Sequence, residues 1–175
     1  MAKRIKNLVA LFALMAVLVP VAFAASTSED AQTKKIRKEL VTLPYYGIFD
    51  NLEFAVEGNT VVLSGKVTRP STAQDAERRV ARIEGVDKVV NNIEVLPPSP
   101  SDESIRFREY RAIFRTGSLY RYSMGASPSI HIVVDRGHVT LEGVVSSQMD
   151  KQLAYMAANG VPGVFSVTNN LQVVK

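Results

Sequence analysis

Apolar and polar residues alternate over Leu52–Val56 and again over Val61–Val67. That two-residue period belongs to strands with one buried face. Glu57-Gly58-Asn59 between the two runs has the composition of a hairpin turn. Leu52, Phe54, Val56, Val61, Leu63 and Val67 then share one face, and Gly65 falls in the same series. Further on the period lengthens. Ala73, Ala76, Val80 and Ile83 recur at helical spacing, Ser71 with Gln74 resembles a capping box, and Gly85 is placed to end the helix. A last strand is predicted within Val86–Val95. Upstream, Ile36, Leu40 and Leu43 mark one face of a helix predicted from Asp30 to about Leu43. The order is helix, strand, strand, helix, strand.

The same order returns in the second half: a helix over 102–114, strands over 130–134 and 139–145, a helix over 147–159 begun by Ser147 with Asp150, and a strand within 164–173. Residues 52–95 align with 130–173 at a constant offset of 78 without a gap, and 13 of the 44 positions are identical. The identities are mostly aliphatics, glycines and turn residues, among them Val61/Val139, Gly65/Gly143 and Asn91/Asn169. Such a repeat copies a fold rather than a catalytic site. The expected architecture is α+β: two tandem αββαβ units, each a small three-stranded mixed sheet with two helices on one face. The boundaries fall at 30–96 and 102–175, joined by a proline-rich linker at 97–101. Units this small sit near the lower limit for independent folding, so the repeats are expected to pack on each other. Gly65 and Gly143 are expected where a helix comes close to a strand.

Residues 1–24 belong to neither unit. Lys3, Arg4 and Lys6 precede an apolar run from Leu8 to Val19, and Ala22-Phe23-Ala24 supplies the small residues of a cleavage site. This is the pattern of a secretory signal peptide, cut after Ala24. It changes the charge argument. The chain carries 21 Lys+Arg and 17 Asp+Glu, but three of the basic residues lie in this segment, leaving 18 against 17. A basic balance therefore gives no reason to expect nucleic acid as a partner. There is no cysteine, so stability rests on ordinary cores. The expected location is the periplasm.

The pattern apolar-x-apolar-x-Val-x-x-x-x-Val-x-Leu-x-Gly-x-Val, a helix, then Gly-Val-x-x-Val-x-Asn-x-apolar-x-Val occurs twice. It resembles the BON domain, a family named for bacterial osmotically inducible and nodulation proteins. The resemblance rests on Val61, Leu63, Gly65, Val67, Gly85, Val86, Val89, Asn91 and Val95 and on their counterparts from Val139 to Val173. It implies an α+β fold, association with phospholipid membranes, and a role in osmotic or envelope stress.

Residues suited to catalysis are sparse. His131 faces Glu142 in the inferred hairpin, a base with a carboxylate beside it. With no nucleophile or third partner, the pair reads as an exposed cross-strand contact. His138, beside the Asp135-Arg136-Gly137 turn, is expected in solvent. No metal-ligand spacing, phosphate loop or nucleophile elbow occurs, so no catalytic residue, metal, cofactor or small-molecule substrate is expected. The constellation that the repeat does not duplicate is Arg106, Arg108, Arg111, Arg115 and Arg121 with Tyr110, Phe114, Tyr120 and Tyr122, partly within a long connection at 115–129. Arginine pairs with lipid phosphate while an aromatic ring sits at headgroup level. Arg108, Arg111, Arg115, Tyr120, Arg121 and Tyr122 are the candidate lipid-binding residues. The second half, 98–175, has 8 basic against 6 acidic residues, and 25–97 has 10 against 11, so anionic lipid favours the second unit. The same groups also suit an amphipathic helix with a solvated basic face, or a surface for an envelope protein without lipid contact.

Overall fold

The hairpin predicted from alternation is β1 (Asn51–Glu57) paired antiparallel with β2 (Thr60–Val67). It opens the first of two mixed sheets in a computed structural model. The structure describes residues 22–125 and 128–174, with side chains from residue 31 onward. The predicted signal segment up to residue 21 lies outside the described residues. β3 (Lys88–Asn91) and β4 (Glu94–Val95) both run parallel to β2 in one continuous register. They are the single expected third strand, broken at Asn92-Ile93.

The break has a repeated cause. The Asn91 side chain accepts from the Ile93 N–H at 3.1 Å and donates to Ala73 O at 3.2 Å. It bends the strand and ties it to α2 (Pro70–Val80). Asn169 does the same, accepting from Leu171 N–H and donating to Lys151 O. The second unit consists of β5 (Ile130–Asp135), β6 (His138–Val145), α4 (Gln148–Asn159), β7 (Ser166–Asn169) and β8 (Gln172–Val173). Its registers match those of the first unit at the offset of 78. The β5–β6 turn puts both central residues at positive φ, Arg136 at 50° and Gly137 at 78°, as a two-residue hairpin of matching twist requires.

α1 (Ala22–Val41) and α2 cover one face of the first sheet. Ile36, Leu40, Leu43, Val61, Leu63, Ala76 and Val80 form its core. α3 (Pro100–Phe114) and α4 cover the second sheet, over Ile105, Ile113, Ile130, Ile132, Leu141 and Ala154. Each fully buried Leu, Ile or Val contributes about 1.5–3 kcal/mol.

Several helix boundaries differ from those expected. α1 is already helical at Ala22, the first described residue, ahead of the expected start at Asp30. α2 starts at Pro70, whose fixed φ suits a first helical position, after Arg69 rather than Ser71 at the cap. It ends at Val80, and the chain turns before reaching Gly85. α3 begins inside the proline-rich stretch, because Ser99 accepts from the Asp102 N–H and Pro100 takes the first turn. Ser147 caps α4 as expected, with the Asp150 N–H at 3.1 Å.

Gly65 and Gly143 have a different reason from the one expected. Their φ values are +114° and +109°, and an added Cβ would lie 2.2 Å from the carbonyl oxygen of Asn51 or Ser129 on the paired strand. The neighbouring strand's backbone, not a helix, excludes a side chain there.

The repeats pack together as their size suggests. The Ile132 N–H donates to Ile48 O at 2.7 Å, and Ile48 and Phe49 join the second core. Lys66 bridges to Asp135 at 2.9 Å. Residues 130–134 are buried on both faces, since the first unit covers the side that would otherwise meet water.

Candidate functional site

α3 carries the basic face. Arg108, Arg111 and Arg115 lie at i, i+3 and i+7, within about one-sixth of the helix circumference. All three are exposed, and none takes part in the ion pairs found among the described residues. The opposite face holds Ile105, Glu109 and Ile113 in the core. Arg111 and Arg115 also stand at the helix C-terminus, where cations are favoured by about 0.3–1 kcal/mol.

Exposed aromatics flank the arginines. Phe107 is 51% exposed while its ring meets Phe49 edge-on at 5.8 Å. Tyr110 is partly exposed against Phe114, and Tyr120 is exposed on the 3-10 turn Leu119–Ser123. Arg108 lies against Gly163, and two residues further along the chain Phe165 is 77% exposed over the Gly137 turn beside the exposed Arg136. Phe107 and Phe165 are absent from the sequence-derived set. A lone Phe in a helical or strand pattern reads as core, and only the packing shows these two facing out.

Arg121 and Tyr122 are placed otherwise. Tyr122 is buried, and its hydroxyl donates to Asp150 Oδ2 at 2.9 Å and accepts from the Ser146 N–H at 3.0 Å. Arg121 pairs with the same Asp150 oxygen at 2.6 Å, its guanidinium 4.8 Å above the Tyr122 ring. The Ser147 hydroxyl, then Tyr122 and Arg121, hold the Asp150 carboxyl below the usual carboxylate range. This network pins the 115–125 segment to the start of α4. In the first unit Asp50 has the corresponding role, accepting from the Thr68 N–H at 2.6 Å. Arg121 is itself exposed but engaged by Asp150, so the outward set without such pairing among the described residues is Arg108, Arg111, Arg115 and Tyr120, with Phe107 and Tyr110 beside it.

The histidines carry no assembled chemistry. His131 faces Glu142 in the expected register, but it is buried rather than exposed. Tyr46 stacks on it at 5.4 Å, and its Nδ1–H donates to Gly47 O at 3.2 Å. Desolvation pushes its pKa below the ordinary value, so it stays neutral as a wedge between the units. The cause was invisible locally, because the covering residues come from the other repeat. His138 is exposed, as expected, beside Ser166. Among the described residues no group of three or more His, Cys, Asp or Glu could hold a metal. No helix among them is long and apolar enough to cross a membrane.

One buried group fits no expectation. Glu109 is 0% exposed, and neither carboxyl oxygen has a hydrogen-bond partner among the described residues. Desolvation pushes its pKa up to about 8. One turn earlier the buried Arg106 donates to Val134 O and pairs with Glu103 instead.

The family model for the BON domain matches residues 28–97 and 121–175. The second match begins after α3, so the basic helix lies outside it. Two solved structures of CdsD, described as a structural protein of the type III secretion system of Chlamydia trachomatis, show a likeness. One, of the C-terminal domain, is 10% identical with a TM-score of 0.34, covering 81% of this chain and 96% of that chain. The other is 11% identical with a TM-score of 0.33, covering 82% and 92%. No curated protein matches significantly.

Proposed function

The chain belongs to the BON-domain family, with two copies in tandem, and from that premise we propose a non-enzymatic envelope protein that binds anionic phospholipid surfaces through α3. The observation that carries this reading is the exposed face of Arg108, Arg111 and Arg115 with Phe107, Tyr110 and Tyr120 around it. Guanidinium groups pair with phosphate, and the rings suit the depth of the headgroups. Each basic residue near an anionic leaflet contributes about 1 kcal/mol, so three acting together give useful affinity while one does not. The excess of basic over acidic residues in 98–175, and the signal-like pattern of residues 1–24, agree with an exported protein resting on a membrane rather than spanning it. Osmotic or envelope stress is the setting the family suggests.

Co-sedimentation with vesicles tests the proposal. Binding should rise with the anionic-lipid fraction and fall with added salt, since exposed charges are screened beyond about 10 Å at 0.1 M ionic strength. Indifference to vesicle charge at low salt would refute it.

A further inference from the structure

Each repeat has a groove between its first helix and its edge strand, and among the described residues the chain itself fills that of the second repeat and leaves that of the first open. In the second repeat, between α3 and β5, Ile48 O accepts from the Ile132 N–H, Ile48 and Phe49 pack on the core, and Phe49 meets Phe107. Ile130, Ile132 and Val134 are all 0% exposed. The offset of 78 puts Leu52, Phe54 and Val56 at the same places on β1, where they are only partly buried. Phe54 and Leu63, like Ile132 and Leu141, occupy non-hydrogen-bonded positions of the hairpin. The Phe54 N–H therefore points out from the sheet edge. The bond that Ile132 makes to Ile48 has no counterpart at Phe54 among the described residues. Two depressions of about 300 and 530 Å³ lie over this edge and share Arg37, Leu52 and Phe54. Arg37 is exposed, 5.9 Å from the Phe54 ring, and enters none of the ion pairs found among the described residues.

We infer that the groove between α1 and β1 docks an extended segment of a partner protein carrying two adjacent large apolar residues next to an acidic one. The chain supplies its own template for the apolar pair, since Ile48 and Phe49 fill the equivalent place on the second repeat, and the exposed Arg37 supplies the preference for a neighbouring acid. Strand addition at β1 gives main-chain hydrogen bonds at Phe54, the apolar floor takes the two side chains, and Arg37 takes the carboxylate. A second copy is not the occupant. Its Ile48 and Phe49 are already held within its own fold, and lending them would undo its interface between repeats. This site is separate from the basic face of α3 and does not depend on it.

The test selects random peptides displayed on phage against the full chain, then titrates the enriched sequences into isotope-labelled protein. The enriched peptides should carry the apolar pair and the acid, and should shift the Phe54 amide. Arg37→Glu should weaken them about tenfold, the loss of one well-placed charge pair, and a peptide with its acid changed to Lys should regain binding to that variant. Enrichment of no sequence, or peptides that shift α3 and leave Phe54 unmoved, would overturn the proposal. Concentration-dependent self-association that shifts the Phe54 amide would overturn the assignment to a partner in favour of a second copy.

Discussion

Glu109 gives the second unit a pH dependence that one substitution should abolish. Its carboxyl is fully buried without a partner among the described residues, and its pKa rises from 4.5 to about 8. The folded state thus binds the proton more tightly than the unfolded chain does. This contribution to stability is complete below pH 4.5 and is lost as pH rises toward 8, at about 1.4 kcal/mol per unit. At pH 7 the loss amounts to about 3 kcal/mol, and above pH 8 to nearly 5, as upper bounds. Some is recovered if Arg106 turns toward the carboxylate. Glu109→Gln keeps the shape and removes the titration. A buried amide carries its own cost of about 1–3 kcal/mol, so the variant should equal or trail the native chain near pH 5. It should overtake the native chain near pH 9. Urea midpoints followed by circular dichroism across that range would show it, and all other titrating groups cancel in the difference between the proteins. Parallel curves for the two would refute the reasoning.

Gly65→Ala and Gly143→Ala should each cost about 1–3 kcal/mol, because the new methyl group meets a carbonyl oxygen at positive φ, and thermal melts of the two variants check this. Tyr122→Phe should cost about 1–3 kcal/mol by leaving the Ser146 N–H without its acceptor and taking one donor from Asp150, yet leave vesicle affinity unchanged; a loss of affinity in a folded variant would move Tyr122 to the surface. His131, held neutral by burial, contributes stability that is complete above its ordinary pKa of 6.5 and falls as pH drops through that value. The urea midpoint should therefore decline more between about pH 7 and pH 5 in the native chain than in His131→Gln, and an equal decline would contradict the burial argument.

Alternation and helical spacing make much of the fold legible in the sequence. The gapless repeat carried both hairpin registers, including Val56 against Val61 and Val134 against Val139. Ser147 was readable as a cap because the group it serves lies three residues away. What could not be read depends on distant partners. His131 is buried by Tyr46 and Gly47 of the other repeat. Gly65 answers to the backbone of Asn51, which its place in the apolar series does not reveal. The repeated Asn91 and Asn169 were visible as identities, but their double role at the strand break needed the contact to α2 and α4. On the candidate surface, spacing placed Arg108, Arg111 and Arg115 together. It could not separate Tyr120 from Tyr122, which differ only in which one reaches Asp150.

The most direct test of the central claim is the affinity of the Arg108→Gln, Arg111→Gln, Arg115→Gln triple variant for anionic vesicles, measured beside the native chain at several salt concentrations. Exposed charges contribute little to stability, so the variant should fold normally. Three lost contacts of about 1 kcal/mol each predict binding weaker by about a hundredfold at low salt, with a flatter salt dependence. A folded triple variant that binds as tightly as the native chain, with the same salt slope, would contradict the account.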